Sequence, residues 1–159
     1  MKKSKLFFLL VILSGISLYA QSQAITYASY LNAFTYEERK EMKIDSVELT
    51  VMLEEGTAQL IDIRFKEEFE AWKMGSAINI PLNELPKRLG ELDKKKLIVT
   101  AYPHKDRAIM ARTFLKLKGF NTRYLTDGLT GLAEYLRGDS AKEFIQELKK
   151  SKRTGKSTD

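Results

Sequence analysis

The feature that most constrains the fold is a buried strand, a short polar loop and an amphipathic helix in direct succession. Leu97–Ala101 is a continuous apolar and β-branched run, which predicts a strand buried on both faces. Beyond the loop, Met110, Phe114 and Leu117 recur at i, i+4 and i+7, which predicts a helix with one apolar stripe. In the loop between them, residues 102–107, backbone N–H groups and the helix dipole favour a bound anion.

Short apolar stretches elsewhere alternate with helical patterns. Residues 60–63, 77–80 and 122–125 have strand character, and helical periodicity separates them. This alternation predicts an α/β fold with a single domain, in which helices cover both faces of a parallel sheet of about five strands. Ligands of such sheets bind outside the carboxyl ends of the strands. The rule places the loop at the mouth of a site.

A family resemblance rests on short motifs around this loop. Asp62-Ile63-Arg64 is followed by Ala77-Ile78-Asn79-Ile80-Pro81, and then by the strand and loop of residues 97–107. In this order and at this separation, the motifs resemble a rhodanese domain, and the resemblance covers roughly residues 44–136. It implies a rhodanese-like domain, whose bounds we place at residues 44–138.

The resemblance also implies a change at the reactive position. Active members of the family begin the loop with a nucleophilic cysteine that carries a persulfide, and they end it with an arginine at the sixth position. Arg107 matches the arginine, Tyr102 occupies the cysteine position, and the sequence contains no cysteine. Residues 72–73 and 75–76 also differ from the family's Gly-His and Pro-Gly steps at the rim of the site. The chain therefore resembles a sulfurtransferase whose nucleophile is missing.

The remaining loop residues have opposing effects on an anion. We expect the ring of Tyr102 to close part of the pocket, Pro103 to remove one backbone donor, and Asp106 to cap the helix with a negative charge. Lys105 and Arg107 favour an anion. Together with His104, these side chains form the candidate ligand-binding loop.

His104 is the single histidine of the chain. Its polar surroundings predict an exposed surface residue, and a pH-responsive contact is the alternative. One histidine without any cysteine forms no recognisable metal-ligand set. We therefore expect neither a metal nor a cofactor.

Asp62 and Arg64 stand at the end of an apolar strand. A carboxylate inside such a strand is best explained by a buried ion pair or hydrogen bonds that support the neighbouring loops. A catalytic role for Asp62 is the weaker alternative. We assign both residues a supporting role at the site.

The N-terminus has the pattern of an export signal. Residues 1–24 contain three lysines, an apolar segment at residues 6–18, and small residues that allow cleavage after Ala24 or Ala20. Because the segment is shorter than the roughly 20 apolar residues that span a bilayer, we expect cleavage rather than anchoring. The mature chain is then exported, with the periplasm as the expected compartment, and has no membrane span.

The formal charge of +6 does not indicate a nucleic-acid partner. Basic residues concentrate at the two ends, and residues 25–148 carry a net charge of −1. A nucleic-acid-binding domain would show a basic face in its folded part. We therefore expect no nucleic-acid binding.

Segments outside the central domain show helical patterns. Residues 25–43 form an N-terminal helical extension in which Tyr27, Tyr30, Leu31 and Phe34 make one apolar stripe. We expect this stripe to pack over the core, and a surface for a partner is the alternative. A helix is also predicted from the leucines at 82, 85 and 89, and another at residues 139–150. Residues 151–159 are predicted to be a disordered basic tail.

These observations give two hypotheses for function. The first is a non-catalytic binding module that uses the loop to bind a partner protein or a small anion such as a sulfur oxyanion. The alternative is a sulfurtransferase-related enzyme, or an accessory protein, that acts through a partner's cysteine. A missing nucleophile on a retained scaffold favours the first.

Overall fold

Strands and helices alternate along residues 25–154, which are the residues that the computed structural model describes. The helices are α1 (Tyr27–Asn32), α2 (Tyr36–Glu41), α3 (Ser46–Glu54), α4 (Lys66–Ala71), α5 (Asp106–Leu117), α6 (Gly128–Tyr135) and α7 (Asp139–Thr154). The strands are β1 (Lys43–Ile44), β2 (Ala58–Asp62), β3 (Ile78–Asn79), β4 (Leu97–Ala101) and β5 (Thr122–Leu125).

The strands form one parallel five-stranded sheet in the order β1-β5-β4-β2-β3. β2 and β4 lie side by side at its centre, paired from Ala58 with Leu97 to Asp62 with Ala101. Every residue of β4 is buried. The parallel sheet confirms the predicted α/β fold class. β4 is buried along its whole length because it has a neighbouring strand on each side and helices on both faces of the sheet.

Two apolar clusters fill the two sides of the sheet. On one side, leucines of α3 and α6 and Phe144 of α7 pack on the sheet together with Val99. On the other side, Ile98 packs against Leu115 of α5 and against Leu85. The buried members of both clusters lie between residues 44 and 144, so a chain that starts at residue 25 carries every buried residue of the two clusters in the described part of the structure.

The helix after the loop presents a different face from the predicted one. The residues of α5 that are buried are Ala108, Ala111, Arg112 and Leu115, whereas Met110 is exposed. The helix is present, and the predicted stripe is only partly correct, because Phe114 packs against the core whereas Met110 does not. Small alanines bring α5 close to the sheet, and a pattern that counts large apolar residues does not register them.

The predicted helix across the leucines at 82, 85 and 89 is also wrong. Two short 3₁₀-helices, Leu85–Lys87 and Leu89–Glu91, replace it. Pro86 lies inside the first of them and lacks the N–H that a longer α-helix would need. Leu85 is nonetheless fully buried beneath the sheet.

The stripe of the N-terminal extension does not pack over the core. No residue of α1 is buried, and Tyr27, Leu31 and Phe34 are exposed. Tyr30 is the exception, because its side chain turns inward. The prediction that this stripe joins the core is wrong. Of the four residues, only Tyr30 contacts a buried partner.

That partner is Arg112 of α5, which is buried among polar groups. Its Nη1 donates to the Tyr30 hydroxyl at 2.6 Å and its Nε to the Thr122 carbonyl at 3.2 Å, and it forms an ion pair with Glu38 of α2. Partial burial acts to raise the pKa of Glu38, but hydrogen bonds from Arg112 and Lys116 outweigh it and lower the pKa. The network attaches α1 and α2 to the domain.

The C-terminal helix is longer than predicted. α7 continues to Thr154, so residues 151–154 are helical and not disordered. Residues 1–24, with the predicted export signal, and the tail residues 155–159 lie outside the described part of the chain. Within residues 25–154, no helix has the length and apolar character that crossing a bilayer requires.

Candidate functional site

The loop of residues 102–107 lies where the sequence predicts it. It leaves the carboxyl end of β4 and enters α5 directly, at the edge of the sheet where the other parallel strands also end. Tyr102 is half-buried and packs against the cluster on the α5 side of the sheet. The strand-loop-helix geometry is therefore present, with a phenol at its first position.

The predicted ion pair supports the neighbouring strand end. Arg64 and Asp62 are 1% and 0% exposed, and Nη2 of Arg64 lies 2.6 Å from Oδ2 of Asp62. Arg64 also donates to the carbonyls of Glu68 at 3.0 Å and Trp72 at 2.7 Å, and its guanidinium lies 4.0 Å from the centre of the Trp72 ring. Every charge-bearing group of the pair has a partner, so the pair fixes α4 against β2 and offers no free acid or base.

Arg107 is held between aromatic rings and a carboxylate. Its guanidinium lies 4.3 Å from the centre of the Tyr102 ring and 5.5 Å from that of Phe65. Its Nη1 donates to Oε2 of Glu68 at 3.0 Å. The arginine charge is therefore paired with a residue of α4, in an ion pair that stays partly exposed. Sequence reasoning missed Glu68, because it is separated from Arg107 by 39 positions and follows no spacing rule.

Helix α6 donates hydrogen bonds to the backbone carbonyl groups of the loop. Leu129 N–H donates to the Tyr102 carbonyl at 2.9 Å, and the Thr130 hydroxyl donates to the Pro103 carbonyl at 2.9 Å. Gly128 has φ +65°, and a Cβ at this position would lie 2.2 Å from the Pro103 oxygen. The sequence predicts a turn at this glycine, but it does not reveal that the turn is pressed against the loop.

Asp127 connects the same corner to α3. Its Oδ2 accepts a hydrogen bond from the Ser46 N–H at 2.8 Å, at the first residue of that helix. Desolvation acts to raise the pKa of Asp127, but hydrogen bonds from Ser46 and Thr126 and the charge of Lys105 outweigh it and lower the pKa. The starts of two helices are thereby joined next to the loop.

Three backbone N–H groups of the loop have no acceptor in the described part of the chain. The N–H groups of Lys105, Asp106 and Arg107 donate to no acceptor within residues 25–154. The helix begins at Asp106 after an N-cap position occupied by Lys105, and the Asp106 carboxylate makes no hydrogen bond to the described residues. The predicted capping role of Asp106 is therefore wrong, because the residue lies inside the first turn and not before it.

His104 is exposed, as the sequence predicts. Its ring stands edge-on to that of Tyr102, with 6.3 Å between the ring centres. No group of three or more histidine, aspartate or glutamate side chains suited to a metal ion occurs in the described residues. The loop face thus consists of aromatic rings, one imidazole, the pair of Arg107 with Glu68, and the charges of Lys105 and Asp106.

Comparison with known proteins agrees with this architecture. The sequence model of the rhodanese-like domain family matches residues 45–135. An HTH-type transcriptional regulator from Mycobacterium tuberculosis is 36% identical over 89 residues, which are 54% of this chain and 39% of the regulator. The chain therefore spans about two fifths of that curated relative.

Solved structures share the fold. A rhodanese-related protein from Thermoplasma volcanium is 24% identical, with a TM-score of 0.53 over 58% of this chain and 90% of its own. A thiosulfate sulfurtransferase from Pseudomonas aeruginosa is 20% identical, with a TM-score of 0.56 over 70% of this chain and 25% of its own. The parallel sheet, the position of the loop and the family match lead to one conclusion: this chain belongs to the rhodanese-like domain family.

Proposed function

We propose that the chain is a non-catalytic binding module and that the face of its loop binds a partner protein. The observation that carries this proposal is the position of Arg107, which is stacked on Tyr102 and paired with Glu68. An arginine fixed in this way is prepared for contact with a protein surface and is not available to neutralise a transferred group. The loop has become a recognition surface.

The chemistry of the first loop position argues against sulfur transfer by this chain alone. A transferable sulfur needs a soft thiolate nucleophile, and Tyr102 supplies a phenol oxygen in its place. Phenol oxygen does not form a persulfide. With no cysteine in the sequence, sulfur transfer would require a cysteine from a partner.

The composition of the loop face resembles that of protein interaction sites. Phe65 is 50% exposed and lies beside Arg107, with Tyr102 and His104 on the other side. Aromatic residues and arginine contribute most of the binding energy at protein interfaces. Because α6 fixes the loop backbone, this face loses little conformational entropy when it binds.

A small anion is a second candidate ligand, because the N–H groups of Lys105 to Arg107 remain open. A sulfur oxyanion could accept hydrogen bonds from these N–H groups at the start of α5, where the helix dipole favours negative charge. The charges of Asp106 and Glu68 oppose this binding. An anion present at a concentration of one hundred times its Kd would stabilise the fold by about 2.7 kcal/mol. Lys105→Glu should abolish this stabilisation.

We further propose that the chain is exported. The support is the sequence of residues 1–24, in which lysines are followed by an apolar segment and then by small residues. These residues lie outside the described part of the structure. Cell fractionation and the intact mass of the purified chain test this: an export-processed chain begins after Ala20 or Ala24. Full-length chain in the cytoplasm would contradict it.

Site-specific photo-crosslinking tests the binding role. A photoreactive residue replaces His104 at the centre of the loop, and a control replaces Lys95, an exposed residue at the opposite edge of the sheet. We expect a defined adduct from position 104 that weakens in Phe65→Ala and that is missing from position 95. Equal adducts from both positions, or none from position 104, would contradict the proposal. Transfer of labelled sulfur through a cysteine of the captured partner would favour the accessory role.

A further inference from the structure

A cleft of about 760 Å³ lies between α7 and the amino edge of the sheet, and we call it the α7 cleft. Its volume is within the range of about 300–1,000 Å³ that is usual for small-molecule sites. Two of the residues that line it, Ala58 and Lys96, lie at the amino ends of β2 and β4. The loop of residues 102–107 follows the carboxyl end of β4 and does not line the cleft. The α7 cleft is therefore a separate site.

Much of the surface inside the α7 cleft is apolar. It is contributed by the end of α3, by β2, by the edge strand β3 and by α7: Leu53, Ala58, Leu60, Ile78, Ile145 and Leu148. Leu53 and Leu60 belong to the buried cluster on this side of the sheet, so this part of the wall is fixed. Ile78 and Ile145 are 40% and 42% exposed. A bound apolar group that covers them would remove apolar surface from water.

The side of α7 that lines the cleft changes from apolar to basic along the helix. Ile145, Leu148, Lys149 and Lys152 line the cleft, and their spacing of i, i+3, i+4 and i+7 places them on one side of α7. The first and the last of them are separated by roughly 10 Å along the helix axis. A ligand that lies along this side therefore contacts apolar side chains at one end and ammonium groups at the other.

The charged side chains that line the α7 cleft are all basic. They are Lys96, Lys149 and Lys152, and the lining contains no aspartate or glutamate. Within residues 25–154, none of these lysines forms an ion pair. Glu147 of α7 pairs with Lys150, and neither of these two residues lines the cleft. The cleft therefore combines an apolar surface with uncompensated positive charge.

We propose that the α7 cleft binds a free fatty acid, with the alkyl chain on the apolar wall and the carboxylate at Lys149 and Lys152. An alkyl chain has no polar groups to satisfy on such a wall, whereas a peptide backbone would need hydrogen-bond partners there. One negative charge at the end of the chain matches the change from apolar to basic along α7. This helix begins at Asp139, beyond the family match at residues 45–135, so one wall of the site comes from outside the matched region.

Calorimetric titration with octanoate, decanoate and dodecanoate tests this proposal, with each ligand below the concentration at which it forms micelles. The experiment uses residues 25–159, which carry every buried residue of both described clusters. We expect one dodecanoate to bind per chain, and the Kd to fall roughly fourfold for each methylene that becomes buried. Decylammonium has the chain length of decanoate and the opposite charge, and it should bind at least about tenfold more weakly.

Substitutions on α7 locate the ligand. Ile145→Glu puts a carboxylate in the apolar wall and should raise the Kd of dodecanoate at least about tenfold. Its matched control is Met110→Glu, at an exposed apolar position on α5, which should leave the Kd unchanged. The double variant Lys149→Glu and Lys152→Glu should also raise the Kd at least about tenfold.

A second control tests whether net charge alone explains the effect of the lysines. Lys40→Glu with Lys87→Glu makes the same change in charge at exposed positions outside the cleft. At about 0.15 M salt, this control should change the Kd by less than about twofold, because distant surface charges are screened. Circular dichroism should show that all four variants are folded.

The proposal is overturned if dodecanoate shows no saturable binding or if decylammonium binds as tightly as decanoate. It is also overturned if the control variants weaken binding as much as the cleft variants do. Flotation with phosphatidylglycerol vesicles forms a second arm of the experiment. A chain that binds these vesicles but not dodecanoate would be using the lysines of α7 on a membrane surface, and this result would also overturn the proposal.

Discussion

Substitution of Gly128 by alanine should destabilise the fold specifically at the loop. Gly128 has φ +65°, in the left-handed region that costs an L-residue about 1–2 kcal/mol. The new Cβ would also lie 2.2 Å from the Pro103 oxygen and 2.7 Å from that of His104. Both neighbours are backbone atoms, so the loop itself must move by about 1 Å to reach ordinary contact distances.

Such a movement would weaken the contacts that hold the loop. The hydrogen bonds from Leu129 to the Tyr102 carbonyl and from Thr130 to the Pro103 carbonyl lie next to the collision. A typical hydrogen bond contributes about 1 kcal/mol. With the backbone strain, we expect a total loss of about 3–4 kcal/mol in the free energy of unfolding, or roughly a 10 °C fall in Tm for a domain of this size.

Two other glycines separate strain from collision. Gly119 has φ +80° with open space where a Cβ would lie, and Gly90 has neither a positive φ nor a close neighbour. Gly119→Ala should therefore cost about 1–2 kcal/mol, and Gly90→Ala should lie within about 0.5 kcal/mol of the parent. The additional cost at Gly128 measures the contact with the loop.

Urea unfolding followed by circular dichroism gives these free energies, and hydrogen exchange locates the change. In Gly128→Ala, exchange should accelerate at Leu129, whose N–H donates to the loop. If Gly128→Ala costs no more than Gly119→Ala, the loop is not held by α6 and the reasoning is refuted.

Three further predictions concern the site. Asp62→Asn should cost about 3–5 kcal/mol in urea unfolding because it leaves the buried Arg64 charge unpaired; a cost below about 1 kcal/mol would contradict the buried pair. Asp127→Asn should reduce stability most at neutral pH. The pKa of Asp127 is lowered in the folded chain, so its contribution is present above the unfolded pKa and lost as pH falls through the folded value; urea unfolding from about pH 7 to pH 3 should show the two chains converging in acid. Tyr102→Cys should stay at the background rate of thiosulfate-dependent thiocyanate formation, because the carboxylates of Asp106 and Glu68 oppose a thiolate; a rate clearly above background in a folded variant would show that the loop still activates sulfur.

Local patterns predict the sheet and the position of the loop well. β4 and β5 have the predicted bounds, because continuous apolar runs between turns carry their own signal. The ion pair of Asp62 and Arg64 is also evident, since the two residues are separated by one position at a strand end. These features depend on neighbours in the sequence.

The misplaced features depend on distant partners. Arg112 is buried only because Glu38 and Tyr30 arrive from another part of the chain, and no periodicity rule expects an arginine on a buried face. The same long-range pairing turns Tyr30 inward and leaves Leu31 exposed. Arg107 is another example, because its partner Glu68 lies on α4.

The way the loop is anchored makes this chain a useful engineering framework. Its backbone is tethered through carbonyl oxygens of Tyr102 and Pro103, whereas the side chains of His104 and Lys105 are exposed and take no part in the tether. Libraries randomised at those two positions should therefore display new binding specificities on an unchanged backbone. The absence of cysteine leaves such libraries free for thiol-directed labelling at any chosen site.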